Sequence, residues 1–455
     1  MKTVLITGAT GFIGNHVGQK LFRLGHKIKV VTRDEKKARQ VLSFPAEIIS
    51  CDLNSTDLPE DAFAGVDCVI HLAGESVDGR WTEQKKKAIL ESRTLSTAHL
   101  LKNLPEDIES VITASAQGIY GDKGDQDLDE NGTPGFGFLP EVCQAWERPF
   151  KELAEKVPKT RVVILRLGMV LSHQGGALRK LISLFQKNIG AVLGSGQQWI
   201  SWIHIDDLSQ IIANAVTNLN YRGIFNAVSD CPVRNEKFTQ KLCQHLSVIQ
   251  APGVPAFVLR LALGEMSDLV LSSAKLVPKK LKGNDFKFQY PNIEKVFEAE
   301  LEPYKSGQGF LKAQQYLPYP VEKVFQFFSR AENLESITPE LLKFKIENKS
   351  TENIEAGTLI QYSLKIHGIP AKWLTKIEDW NPPHQFIDSQ VKGPYSLWHH
   401  THQFEEMGDG TLVTDSVRYK IPLGFLGRLT VGSMVQNDIE TIFNYRRQVI
   451  AEQTF

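Results

Sequence analysis

The chain offers little that would tie it to an oxidising compartment, a membrane or a nucleic acid. Its five cysteines, Cys51, Cys68, Cys143, Cys231 and Cys243, show no CxxC spacing. That excludes the usual paired thiol motifs and leaves free thiols in a reducing compartment, the cytoplasm, as the expectation. No run of 18 apolar residues is present, so no membrane span is expected. The most apolar helix candidate, Val254 to Gly264, is short and carries Arg260. The first residues lack the long apolar stretch of a signal peptide. Charge of one sign is not in excess, because 52 basic residues balance 52 acidic ones; nothing points to nucleic acid or an anionic membrane. Internal repeats and low-complexity tracts are also missing. What remains is a chain of 455 residues, 42% apolar, long enough for two or three domains with substantial cores.

The strongest positive signal comes first in the chain. Val4–Ile6 reads as a strand, and it runs into a turn with glycines at 8, 11 and 14 before a helical stretch, Asn15–Leu24. Strand, glycine turn and helix together form the cradle of a dinucleotide pyrophosphate. Gly8 permits the turn, Gly11 lets the backbone approach the phosphates, and Gly14 lets the helix lie close to the strand. Thr10, Phe12 and Ile13 lie between and beside them, where amides at the helix start face the phosphates. The second strand, Ile28–Val31, ends in Thr32-Arg33 rather than in an acidic residue. An Asp or Glu there reads the ribose of NAD; Thr32 and Arg33 suit the 2′-phosphate of NADP, which is therefore expected over NAD. The bland alternative is a solvated Arg33 beside Asp34. Asp52-Leu53 after a third strand borders the adenine in this reading. Leu72-Ala73-Gly74 after a fourth (Val66–Leu72) passes the middle of the cofactor.

Strand-like and helix-like segments go on alternating through Gln84–Leu101, Ser110–Ala114, Glu141–Glu155 and Arg161–Arg166. This implies a parallel sheet with helices on both faces, a Rossmann-type α/β fold with a substrate subdomain after about residue 170. Beyond about 300 the pattern changes. A short amphipathic helix, Val321–Phe328, precedes six extended, partly alternating segments between 344 and 419, and a final helical stretch covers Val431–Val449. An α+β domain, one long helix gripped by a curved antiparallel sheet, is expected there.

The blocks TGATGFIG (7–14), VVTR (30–33), HLAGE (71–75), SAQGIYG (115–121), LRLGMVL (165–171), GSGQQWISWIHIDD (194–207) and PVRNEKF (232–238) occur in order. With them the chain resembles the extended short-chain dehydrogenases/reductases, and within these an atypical NAD(P)-dependent epimerase/dehydratase-like group, the YfcH type. PKKL (278–281) matches that group's C-terminal tail, about 245–300. The resemblance covers about 1–300 and implies a nucleotide-sugar-epimerase-like enzyme or oxidoreductase of unassigned substrate. In the wider superfamily a Ser or Thr works with a Tyr-xxx-Lys pair. Here the strand end supplies Ser115, but the pair falls on Leu139 and Cys143. Substitutes are Tyr120, otherwise a pocket wall, and the Cys143 thiol, otherwise a packing residue; Ser115 has the alternative of a cap. Arg166, Arg80, Trp81 and Arg93 could line an anionic pocket, with Arg166 also near the cofactor. His204 reads as structural, and Asp206-Asp207 as caps of the following helix. The resemblance also allows a homodimer through the 84–101 and 141–155 helices.

The region 312–455, with LPYPVEKVFQFFSRAENLESITP (317–339), GPYSLWHHTHQFE (393–405) and GTLVTDSVRYKIPLG (410–424), resembles the SRPBCC, or START-like, helix-grip superfamily. That implies a cavity for an apolar small molecule. Alternation places His400 and His402 on one strand face and His399 on the other; two histidines without a third ligand make no metal site, so no metal is expected. The aromatic residues here, Trp373, Trp380, Phe386, Tyr395, Trp398 and Phe404, read as core. Two functions compete: an NADP-dependent enzyme fused to an apolar-ligand domain, and an inactive dinucleotide-binding sensor or scaffold.

Overall fold

A computed structural model describes residues 1–453, which divide into two compact units. The first comprises Met1–Glu35 and Ala46–Glu300, the second Lys36–Pro45 with the chain from Leu301 onward.

The main sheet of the first unit has seven strands: β1 (Thr3–Thr7), β2 (Lys27–Thr32), β3 (Glu47–Ser50), β4 (Cys68–His71), β5 (Ser110–Ala116), β6 (Arg161–Leu167) and β7 (Gly223–Ala227). They lie in the order β7-β6-β5-β4-β1-β2-β3, and every pairing is parallel. A sheet covered on both faces needs apolar strands throughout. Accordingly Cys68–His71 is buried at all four positions, and Val111, Ile112, Val163 and Leu165 are wholly out of water. The strand order reverses direction between β1 and β4, the switch point at which open α/β sheets take ligands. Three helices matter for the site: α1 (Phe12–Arg23), α2 (Glu83–Leu101) and α3 (Phe138–Lys156). The apolar segment expected to be a helix from Val254 forms one over Ala256–Leu263, but Phe257 and Leu261 face solvent.

The second unit is an antiparallel sheet of β8 (Gly309–Leu317), β9 (Lys345–Lys349), β10 (Leu359–Ile366), β11 (Ile369–Asn381), β12 (Gln385–Lys392), β13 (Leu397–Met407) and β14 (Gly410–Lys420). Their order is β8-β14-β13-β12-β11-β10-β9. A short helix, α4 (Val321–Phe328), and the long α5 (Gly424–Glu452) cover one face. At 1.5 Å per residue the 29 residues of α5 span roughly 44 Å. Its Ile439 and Phe443 pack with Ala313, Val417 and Tyr419, and its Ile450 with Phe325, Phe386 and Phe404. This is the helix-grip arrangement. Among the described residues no helix is long and apolar enough to cross a membrane.

Candidate functional site

The glycine turn sits at the end of β1, and two glycines there are required by their surroundings. Gly8 has φ +74°, and a Cβ on it would stand 2.7–2.8 Å from the backbone of Leu72 and Ala73. A Cβ on Gly14 would stand 2.3 Å from the Gly8 carbonyl oxygen and 2.7 Å from the Ala9 Cα. The turn therefore presses against the segment after β4, and α1 presses against the turn. The Ala73 amide donates to Thr7 Oγ1 (3.3 Å), which pairs at 2.8 Å with His71 Nδ1. Burial pulls His71 down to about 4, with the Arg93 charge adding to it, so the imidazole is a neutral fixture. Gly11 is the N-cap of α1, in extended conformation, with no side chain capping the helix. The free amides of the first turn are thus left for an anion. Thr10 and Ile13 are half-buried in this turn, while the ring of Phe12 lies over Gly175.

At the tip of β2, Thr32 Oγ1 accepts from the Asp34 amide at 3.2 Å. Arg33 is exposed beside it, and among the described residues no hydrogen bond or ion pair engages its guanidinium. Asp52 turns its carboxylate onto the Asn54 amide (3.1 Å), and Leu53 is a core residue. Gly74 is exposed, with the Arg93 side chain alongside.

The three catalytic candidates lie together, but inside the protein. Ser115, at the end of β5, is 2% exposed and donates to Glu147 Oε1 at 2.8 Å. Glu147 in turn takes a two-pronged contact from Arg166, Nε to Oε1 at 2.8 Å and Nη2 to Oε2 at 3.0 Å. Lys151, one helical turn on, adds a contact at 2.9 Å. Arg166 Nη1 donates to the Tyr120 hydroxyl at 2.8 Å, and that hydroxyl donates to Asn226 Oδ1 at 2.8 Å. Burial pushes the Glu147 carboxyl up, but the hydrogen bonds and charges of Arg166 and Lys151 outweigh it and hold it below the usual carboxylate range.

Three expectations are corrected by this network. Arg166 is the counter-ion of Glu147 and an anchor for Tyr120, not a cofactor contact, because four of its N–H groups are spent inside. Tyr120 is wholly buried and its hydroxyl is bonded on both sides, so it does not face a substrate; burial also raises its pKa, against the pull of Arg166. Cys143 is 4% exposed, and burial together with the Glu147 charge pushes its thiol up to about 12. Buried and shifted upward, the thiol lacks the exposed, electropositive surroundings of a reactive cysteine. Of the five free cysteines, Cys231 is the exposed one. Titration of the native chain with a thiol-specific chromogenic reagent is expected to modify Cys231 first and Cys143 only after unfolding.

Leu139 lies over Gly118, where an added Cβ would meet it at 3.3 Å. Leu139, Cys143, Glu147 and Lys151 recur every four residues along one stripe of α3. Glu147 was missed as the centre of the site, although a carboxylate one turn beyond Cys143 on this stripe was the available signal. The proposed anionic pocket is also not formed as expected. Trp81 is buried and donates to the Val77 carbonyl. Arg93 donates to the Glu75 and Ile89 carbonyls and lies over Trp146. His204 is structural, bonded at 2.8 Å to buried Glu300. It also caps its helix by accepting from the Asp206 amide, while Asp207 accepts from the amides of Gln289 and Tyr290 rather than capping.

A family described as NAD dependent epimerase/dehydratase matches residues 4–227. An epimerase family protein of Arabidopsis thaliana, named an SDR39U1 homolog and chloroplastic, is 37% identical over 309 residues, covering 65% of this chain and 86% of its own. An epimerase family protein of Staphylococcus saprophyticus is 36% identical over 302 residues, covering 66% and 99%. The chain belongs to this epimerase family. Residues 254–300 match a family known only as a domain of unknown function, and 317–442 match one described as polyketide cyclase/dehydrase and lipid transport. Among solved structures, human epimerase family protein SDR39U1 with NADPH superposes with a TM-score of 0.58 at 27% identity, covering 66% of this chain and 99% of that one. A nucleoside-diphosphate sugar epimerase from Corynebacterium glutamicum gives 0.54 at 32% identity, covering 66% and 58%. This epimerase-family unit is thus joined to a helix-grip unit.

In the second unit, α5 and the sheet enclose a cavity of about 250 Å³. Most of its lining is apolar, with Leu334, Ile337, Ile360 and Phe386 among it, but one region carries Asp388, His400, His402 and Arg446. The shared face of His400 and His402 is as expected. The absence of a third group is corrected: register sets Asp388 opposite His400 and Asp415 opposite His402. His402 lies 3.0 Å from Asp388 and 2.8 Å from Asp415, and His400 lies 3.0 Å from Asp415. Asp388, His400 and His402 are also close enough together to share a metal ion.

Proposed function

We propose that this chain is an NADP-dependent oxidoreductase or epimerase-like enzyme of the first unit, with an apolar small molecule held in the second. The observation that carries the cofactor choice is Arg33. It stands exposed and uncommitted at the tip of β2, where an NAD site would place a carboxylate. The human relative solved with NADPH supports the same reading. The amides at the start of α1 would hold the pyrophosphate, Thr32 and Arg33 the 2′-phosphate, and the Leu72–Gly74 segment the middle of the cofactor. Bound NADP supplies hydride transfer. The chain's part is to orient it by the close packing of Gly8 against 72–73. The Ser115–Glu147–Arg166–Tyr120 network braces the ends of β5 and β6 from within. Five free thiols suit a reducing compartment, the cytoplasm by preference.

Arg33→Ser is expected to weaken NADPH binding about 10- to 100-fold, the loss of a charge-assisted hydrogen bond, and to leave NADH nearly unchanged. Fluorescence titration of both cofactors checks this; equal weakening of the two would overturn the assignment. A second reading, a dinucleotide-binding sensor, is favoured by one observation: the hydroxyls of Ser115 and Tyr120 are both spent on interior partners. Tight NADPH binding without oxidation by any carbonyl or sugar-nucleotide substrate would select it.

A further inference from the structure

The cavity of the second unit contains polar groups that its apolar lining does not account for. Arg446, on α5, is 6% exposed, and its Nε and Nη1 make no hydrogen bond. Trp373, on β11, is likewise 6% exposed, and its Nε1 makes none. Both line the cavity. All three atoms are donors without acceptor capacity. Leaving such groups unpaired out of water is costly, because each forfeits its hydrogen bonds to solvent and gains none in return. Arg446 cannot satisfy itself on the cluster beside it, since the Asp415 carboxylate is 3.8 Å away and already engages both imidazoles. Its guanidinium lies over the Phe443 ring, which holds it in place. Trp373 is fixed by aromatic neighbours, Trp398 at 5.2 Å and Tyr362 at 5.7 Å.

The charges of the neighbouring cluster are met internally. The Asp388 carboxylate is engaged by His402, and that of Asp415 by both His400 and His402. Among the described residues, no acceptor meets Arg446 Nε, Arg446 Nη1 or Trp373 Nε1.

On this basis we propose that the cavity binds an apolar small molecule bearing an oxygen-acceptor head, a carboxylate or a ketone, which takes hydrogen bonds from Arg446 and Trp373. This deepens the apolar-ligand reading of the second unit and rests on it. The volume, about 250 Å³, exceeds the roughly 150 Å³ that suffices for benzene in an engineered cavity. There is room for a body larger than one ring.

The test uses the full chain and displacement of the neutral fluorescent probe N-phenyl-1-naphthylamine by decanoate, 2-decanone and decane. Either headed compound is expected to bind about tenfold or more tighter than decane, the contribution of one charge-assisted hydrogen bond. Comparison of acid with ketone tells which head is preferred. Trp373→Phe, which keeps a ring and removes the N–H, and Arg446→Met are each expected to reduce that advantage while the probe still binds. Probe binding with no preference for a head, or a preference unchanged in both variants, overturns the inference and leaves the apolar-cavity reading intact. Failure of the probe to bind the native chain overturns that reading itself. A stoichiometric divalent metal in the purified chain, whose removal abolishes the head preference, also overturns the role given to Arg446 and Trp373.

Discussion

Gly14→Val is expected to abolish dinucleotide binding while leaving the second unit able to take an apolar probe. The reason is backbone crowding. Even a methyl group at 14 would fall 2.3 Å from the Gly8 carbonyl oxygen and 2.7 Å from the Ala9 Cα, neither of which is the movable end of a side chain. Relief requires α1 to lift away from β1, and with it the amides proposed to hold the pyrophosphate. Losing that cradle removes several hydrogen bonds to a charged group, each about 1.5–3 kcal/mol, so affinity should fall by about a thousandfold or more. Gly8→Ala should act the same way by a different route, since it combines φ +74° with contact against the Leu72–Ala73 backbone. Titration of NADPH fluorescence with each variant is the readout. Tight binding by Gly14→Val would mean the turn does not hold the phosphates.

Removing Glu147 is expected to be the most destabilising single change in the first unit. Its side chain is 1% exposed and that of Arg166 is 4% exposed. Glu147→Ala strands a buried guanidinium, and breaking such a pair from one side costs about 3–5 kcal/mol. Arg166→Met should cost a similar amount, and the double variant less than the sum of the two. Urea midpoints give these values. The same pair sets a pH dependence. The folded-state pKa of Glu147 is depressed below that of the unfolded chain. Its contribution is therefore fully present above the unfolded value, about 4.3, and is lost as pH falls through the lower folded value. Glu300, held well below the usual range against its burial by His173 and His204, adds a contribution of the same sign. The native chain should lose stability steadily below about pH 5, and Glu147→Gln should lose less over that interval. An equal acid loss in both would show that Glu147 is not held by Arg166.

The parts that were legible in the sequence are local ones. The glycine turn, the apolar parallel strands and the period of the final helix each lie within a dozen or so neighbouring residues, and each appears in the fold. Contacts across the sheet were not legible. Ser115, Glu147, Arg166 and Asn226 come from β5, α3, β6 and β7, and only the strand order brings them together. Asp388 and Asp415 meet His400 and His402 through antiparallel register, which the alternation along one strand does not contain. The strand Gly309–Leu317 was not anticipated at all. Its Gln315 looks like a surface residue but is 4% exposed, with its amide donating to the Arg447 carbonyl of α5. Burial of a polar residue by a distant partner leaves no mark on its neighbours in the chain. For the same reason Cys143 looked available for chemistry until its surroundings were seen.

We propose that the turn at Gly8–Gly14 holds NADP. Calorimetric titration of the native chain with NADPH and, separately, NADH puts this to the test. The expected result is one NADPH per chain, bound at least about tenfold more tightly than NADH, as one charge-assisted hydrogen bond to the 2′-phosphate implies. Binding of neither nucleotide, or tighter binding of NADH, would contradict it.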